Sequence, residues 1–296
     1  MDERAALALV TDAVGAAGDD AAVVDGRVVT TDMLHERADF PPGTTRYTAG
    51  WRAVGASLSD VAAMGAGDPV AVAVYAAPTF EESELRDFVA GANGVCAAAD
   101  GAYVGGDLDT HDELTVATTA LGDATLPGAP VGRDGTTPGE AVCVTGTLGR
   151  SAAALRYFEA GDPDRGNDLF QFTPRVAAGR ALAPHATAMM DSSDGLARSL
   201  HQLAAASDCG FAVEGDALPV DPAVSEIAED AADERAMATS VGEDFELVCT
   251  VPEDRLDDAI ADCPVPLAPV GRVTAGDVTL DGDVLPDVGY THGGDA

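Results

Sequence analysis

Apolar positions in the first half of the chain switch repeatedly between a two-residue and a three-to-four-residue period, which predicts alternating strands and helices. The stretch "AAVVDGRVVTTD" reads as a hairpin whose valine-rich arms flank an Asp25-Gly26 turn. In "TTRYTAGWRAVGASLSDVAAMGA", Trp51, Val54, Leu58 and Val61 recur three and four apart on one helical face, and Gly65 is the stop signal. "PVAVAVYAAP" predicts a strand, and "TFEESELRDFVAGANGVCAAAD" a helix opened by a Thr-x-x-Glu capping signature. "AYVGGD" and "ELTVATTALG" predict two further strands.

From residue 123 to 140, "DATLPGAPVGRDGTTPGE" is rich in Gly and Pro and loses its apolar period. This segment sets the expected boundary between a first domain over residues 1–135 and a second over 136–296. Beyond it the pattern predicts a strand at "EAVCVTG", helices at "GRSAAALRYFEAG" and "ARSLHQLAAAS", and strands at "FELVCTV", "LAPVGRV" and "DVTLDG". A glycine-rich tail, "DVGYTHGGDA", closes the chain.

Charge changes the picture next. The 296 residues carry 51 acidic and 16 basic side chains, a formal charge of −35, and every basic residue is an arginine. The acids are spread along the chain, as in a protein adapted to high salt, where the Debye length falls to roughly 3 Å at 1 M and self-repulsion is screened. Such a surface offers no basic stripe for nucleic acid. A membrane role is not expected: no apolar run reaches the roughly 18 residues needed to span a bilayer, and "MDERAALALV" is acidic where a signal peptide is basic. Five scattered cysteines without a C-x-x-C pair read as reduced thiols of a cytoplasmic protein. Any metal would then be a hard cation held by oxygen.

Five segments set acids beside apolar strands or glycine turns: "GDDAAVV" (Asp19, Asp20), "VVTTDM" (Thr30, Thr31, Asp32), "SLSDVAAMGA" (Asp60), "YVGGDLDT" (Asp107, Asp109) and "MMDSSDGL" (Asp191, Asp194). Asp60 is the clearest anomaly, because a carboxylate in the closing turn of a helix opposes the macrodipole unless a cation or donor compensates. Asp32 and Asp107 read as strand ends, where α/β folds collect ligands. Asp191 and Asp194 admit two readings, a helix cap worth roughly 1 kcal/mol or part of a site. Several hard oxygen donors from distant segments suit Mg²⁺ held by carboxylates and substrate phosphates. Without lysine no P-loop can form, and the turn in "VTGTLGRS" is a weak phosphate signal, more often only a tight turn. Metal ions and a few arginines would have to supply the positive charge for any phosphoryl chemistry.

The segments "GDDAAV", "TTDML", "GWRAVGASLSDVAAMGAGDP", "GGD", "DSSDGL" and "VGEDFELVCTVP", in this order, resemble those of the thiamine-monophosphate kinases of the aminoimidazole ribonucleotide synthetase superfamily. The resemblance implies an α+β subunit of two α/β domains with mixed sheets, a homodimer formed through the N-terminal domains, and ATP with several Mg²⁺ ions in a cleft between domains. It implies phosphorylation of thiamine monophosphate to thiamine diphosphate. Carried over by position, it implies Mg²⁺ ligands at Asp20, Thr30, Thr31, Asp32, Asp60, Asp107, Asp191 and Asp194. Nucleotide contacts would fall on Gly106, Asp107, Arg133 and Ser193, and substrate contacts on Asp39, Glu243 and Tyr290. Asp39 stands where the family usually has a histidine, and Val241 where it has a glycine. The alternatives are a purine-pathway synthetase of the same superfamily and a non-catalytic acidic metal- or nucleotide-binding protein.

Overall fold

Both residues of the Asp25-Gly26 turn adopt positive φ, 49° and 75°, in the computed structural model, which describes residues 6, 9–11, 13–15 and 17–290. That backbone twist joins β1 (Ala22–Val24) to β2 (Arg27–His35) as a two-residue hairpin. After a single helical turn at Glu36–Asp39 come α1 (Arg46–Ala63), β3 (Gly67–Ala77), α2 (Glu82–Ala98), β4 (Ala102–Thr110) and β5 (Thr115–Asp123). The strands form a mixed sheet in the order β1-β2-β5-β3-β4, with only β3 and β4 parallel.

Residues 124–140, the Gly- and Pro-rich stretch, contain no helix or strand and lead to a second mixed sheet. Its order is β12-β11-β8-β10-β6-β9-β7, and its strands are β6 (Ala141–Thr145), β7 (Ala188–Asp191), β8 (Gly210–Val213), β9 (Leu247–Val251), β10 (Leu267–Thr274), β11 (Val278–Leu280) and β12 (Asp283–Val284). Helices α3 (Arg150–Glu159), α4 (Pro163–Phe170), α5 (Val176–Leu182), α6 (Leu196–Ser207), α7 (Pro222–Ile227), α8 (Ala231–Thr239) and α9 (Leu256–Asp262) complete an α+β fold. Among the described residues no helix is long and apolar enough to cross a membrane.

Helix α1 is buried on nearly every side. Thr45 Oγ1 caps it by accepting from Thr48 N, and Gly65 (φ 66°) stops it while Ala66 N reaches back to Val61 O. Gly50 lets it press against α2, since a Cβ there would overlap the Phe88 carbonyl. Val54, Leu58 and Val61 pack with Val28, Ala71 and Ala120 of the first sheet and with Val176, Leu182, Met189 and Leu247 from the second half. One continuous core therefore fixes α1 relative to both sheets.

Several expectations need correction. The Thr79 capping box does not form: α2 starts three residues later, with Glu81 at the N-cap and no side-chain cap bond. Asp32 and Asp107 do not end their strands, because pairing continues to His35 and Thr110. The strands β7 and β8 and the helices α4, α5, α7, α8 and α9 had no predicted counterpart. Residues 291–296 of the glycine-rich tail, and most of "MDERAALALV", fall outside the described residues. All five cysteines are free thiols; Cys96, Cys143 and Cys249 are buried.

Candidate active site

Three of the predicted acids meet where α1, β7 and the β1 approach converge. Asp60 comes from the last turn of α1, Asp191 from the final residue of β7, and Asp20 from the chain just before β1. Each offers a carboxylate oxygen lying within 4.8 Å of those of the other two. Thr30 Oγ1 on β2 donates to Asp60 Oδ2 at 2.5 Å. Asp32, two residues along the same inward face, accepts from Ser57 Oγ of α1 at 2.8 Å. Arg133 donates to both oxygens of Asp20 through one guanidinium edge, from Nη2 at 2.8 Å and Nε at 3.3 Å, and its backbone N–H donates to Asp19 at 2.8 Å.

Like charges this close resist ionising together. Burial first, and then the Asp32, Asp191 and Asp20 carboxylates, hold Asp60 well above the ordinary carboxylate range. Burial and the neighbouring Asp20 push Asp191 up to about 8, although Arg133 pulls the other way. The Ser59 hydroxyl lies beside Asp191 without good hydrogen-bond geometry, so both buried carboxylate oxygens lack a well-directed donor among the described residues, and buried Ser192 Oγ has no partner there. A buried polar group left so costs free energy unless something pairs with it, and a hard divalent cation suits an all-oxygen donor set.

Of the cluster, Asp20 lines a cleft of about 530 Å³, and the Asp60 and Asp191 carboxylates lie within 4.8 Å of its own. Asp20, Thr30, Thr31, Arg133, Ser193 and Asp194 line the cleft, with Val10, Val14 and Gln202 on the walls. The cap reading of "DSSDGL" fails here. The N-cap of α6 is Gly195 (φ 104°), with no side-chain cap bond. Ser193 and Asp194 therefore remain on the cleft wall, and Asp191 belongs to a strand end. The tight-turn reading of "VTGTLGRS" holds, because the N–H groups of Gly149 and Ser151 donate to the Asp244 carboxylate at 2.6 and 2.9 Å. Burial pushes that carboxyl up to about 7.

Gly106 and Asp107 are not brought to the cluster. They lie on β4, the exposed edge opposite β1, three strand spacings or about 14 Å across from β2. Asp107 falls in the row Met33–Ala117–Val74–Asp107, on the sheet face turned away from α1. Thr31 shares that face by alternation, and its hydroxyl donates to Thr118 O.

The expected substrate residues form a second group. Tyr290 Oη is 3.4 Å from Asp39 Oδ1, and Tyr290 N donates to Asp194 O. Glu243 pairs with Arg52 of α1 at 3.2 Å. Sequence reasoning missed Arg52 and Ser57. Their only signal is polarity inside a helix that turns out to be buried all round.

Sequence models of the AIR synthase related protein match this chain, the N-terminal domain over residues 18–124 and the C-terminal domain over 137–282. The thiamine-monophosphate kinase of Halobacterium salinarum is 61% identical, over 99% of this chain and 100% of its own. That of Methanospirillum hungatei is 40% identical, over 99% of each. Among solved structures, AaThiL complexed with AMPPCP and TMP superposes with a TM-score of 0.89 at 26% identity, covering 98% of this chain and 97% of that one. The thiamine-monophosphate kinase of Stenotrophomonas maltophilia gives 0.80 at 32% identity, covering 90% of each.

Proposed function

Because the chain belongs to the thiamine-monophosphate kinases within the AIR synthase related proteins, we propose that it transfers the γ-phosphoryl group of ATP to thiamine monophosphate, giving ADP and thiamine diphosphate. The observation that carries this reading is the clustering of Asp20, Asp60 and Asp191, whose member Asp20 lines a cleft together with Arg133 and Ser193. Asp20, Asp60 and Asp191 would hold Mg²⁺, with Thr30, Asp32 and Asp194 beside them. Bound Mg²⁺ supplies the charge neutralisation that two polyanionic reactants need in an acidic cleft. The chain's own groups orient: Arg133 and Ser193 contact the nucleotide, while Asp39, Glu243 and Tyr290 hold the acceptor.

The acceptor phosphate loses its second proton near pH 6, so it attacks without a strong general base, and transfer is direct and in line. Incubation with ATP, thiamine monophosphate, Mg²⁺ and molar KCl should yield thiamine diphosphate on chromatography. Cation binding without product would favour the non-catalytic reading. A substrate such as ATP and a set of free thiols fit a cytoplasmic enzyme.

The exposed apolar face of the first sheet suits a second copy. Met33, Val74 and Leu121 are 55%, 39% and 36% exposed there, beside Thr31 and Asp107. A homodimer formed on this face would bring Asp107 and Gly106 of the partner subunit toward each cleft, which one chain alone does not do.

The raised carboxyl groups give a sign-determined prediction. The folded protein retains protons that the unfolded chain releases, so without divalent cation this part of its stability is complete below about pH 4 and lost as pH rises toward 8, the value for Asp191. Mg²⁺ needs the ionised form. The rise in thermal midpoint on replacing EDTA with Mg²⁺ should therefore be larger near pH 8 than near about pH 5.5, at fixed KCl. An equal rise at both would count against the cluster as the metal site.

A further inference from the structure

Arg52 is the one arginine of α1's interior, and its side chain is 1% exposed. Its NH1 donates to Phe170 O at 2.6 Å, and its guanidinium carbon lies 3.4 Å from the centroid of the Phe170 ring. Phe172 and Phe245, stacked at 4.1 Å, close in at 5.4 and 5.7 Å. Within this aromatic box Nε has no acceptor among the described residues, and NH2 meets the Glu243 carboxylate at 3.2 Å as an ion pair outside hydrogen-bond geometry. Burial is the leading influence on Arg52 and lowers its pKa; Glu243, then Asp244 and Asp39, oppose it.

A buried guanidinium with an unmatched donor is poor value for stability, since well-packed apolar residues serve a core as well or better. What it does supply is direction. Glu243 sits in a left-handed backbone conformation, φ 72°, with its N–H on Ser193 O and its carbonyl on Ser151 Oγ. Its backbone is thereby fixed, while its side chain remains 29% exposed and is met by Arg52 alone among the described cations. The planar fork of an arginine locked between rings sets a carboxylate's orientation in a way that a flexible ammonium does not.

We propose that Arg52 is a positioning residue that holds the Glu243 carboxylate in one orientation, toward the cationic and amine-bearing rings of the acceptor. This deepens the kinase reading and rests on it. Arg52 touches the acceptor only through Glu243, so its loss should weaken acceptor binding and spare the nucleotide.

The test compares Arg52→Met, Arg52→Lys and Glu243→Gln in the full-length enzyme with Mg²⁺ and molar KCl. Arg52→Met should raise KM for thiamine monophosphate by about tenfold, as Glu243 loses its buried ion-pair partner, with KM for ATP within about twofold of wild type. Arg52→Lys should recover part of the loss. Combining Arg52→Met with Glu243→Gln should cost little more than Glu243→Gln alone. If Arg52→Met fails to fold, Arg52→Lys with and without Glu243→Gln makes the same comparison. Equal changes in both KM values, or effects that simply add, would overturn the positioning role while leaving the activity intact. A wild-type enzyme that forms no thiamine diphosphate would instead overturn the kinase reading, and this inference with it.

Discussion

Asp60→Asn is expected to lower kcat by on the order of 10²–10³-fold, and also to raise the thermal midpoint measured in EDTA by about 2 °C or more. The opposite signs come from the same geometry. Asp60 is pressed against Asp20, Asp32 and Asp191, and its carboxyl is held well above its ordinary range by burial and by those neighbours. The neutral amide removes that repulsion and can still accept the Thr30 hydroxyl. In the working enzyme the same change removes one charge from the group proposed to hold Mg²⁺, where the reactants' phosphates are neutralised. Asp257→Asn, on the exposed side of α9, is the control and should move neither quantity. Full activity with unchanged Mg²⁺ dependence in Asp60→Asn would remove Asp60 from the metal site.

The second large effect concerns Asp107. Asp107→Asn and Asp60→Asn should each be nearly inactive alone, yet a refolded equimolar mixture should regain activity. If each cleft joins its own Asp60 to Asp107 of the partner subunit, a mixed dimer holds one cleft with both changes and one with neither. Half the dimers are mixed, so activity should return to about one quarter of wild type. A mixture as inactive as its components would mean that Asp107 acts within its own chain or not at all. Glutamate in place of Val74, on the same sheet face, should give a monomer by light scattering and block the recovery.

The sequence disclosed the fold unevenly, for physical reasons. Helix α1 and the hairpin at Asp25-Gly26 were legible because one period and one turn chemistry each dominate their segments, although α1 proved buried on nearly every side where one apolar face was expected. The strand β8 was not, since four residues are too few to show a period. Helices α4, α7 and α8 start at Asp162, Asp221 and Asp230, whose side chains cap their first turns. In so acidic a chain those capping signals vanish into the background. The same background hid the site from composition: Asp191 became distinguishable only when β7 placed it, fully buried, opposite Leu247. Order along the chain, carried by the family's motifs, pointed to residues that local physics alone left open. Arg52 escaped both routes, because an arginine in a helix ordinarily faces water.

Helix α1 carries Arg52 toward the acceptor group and Asp60 into the carboxylate cluster, eight residues and about 12 Å of axial rise apart. Inserting a single residue between them would swing one end by about 100° and slide it about 1.5 Å relative to the other. Amino-acid exchange within Ala53–Ser59 therefore threatens packing at one point, whereas a change of length would uncouple the Arg52–Glu243 pair from the carboxylate cluster at once. Among natural variants, insertions and deletions should accumulate in the exposed turn at Asp281-Gly282 and be absent from this stretch of helix.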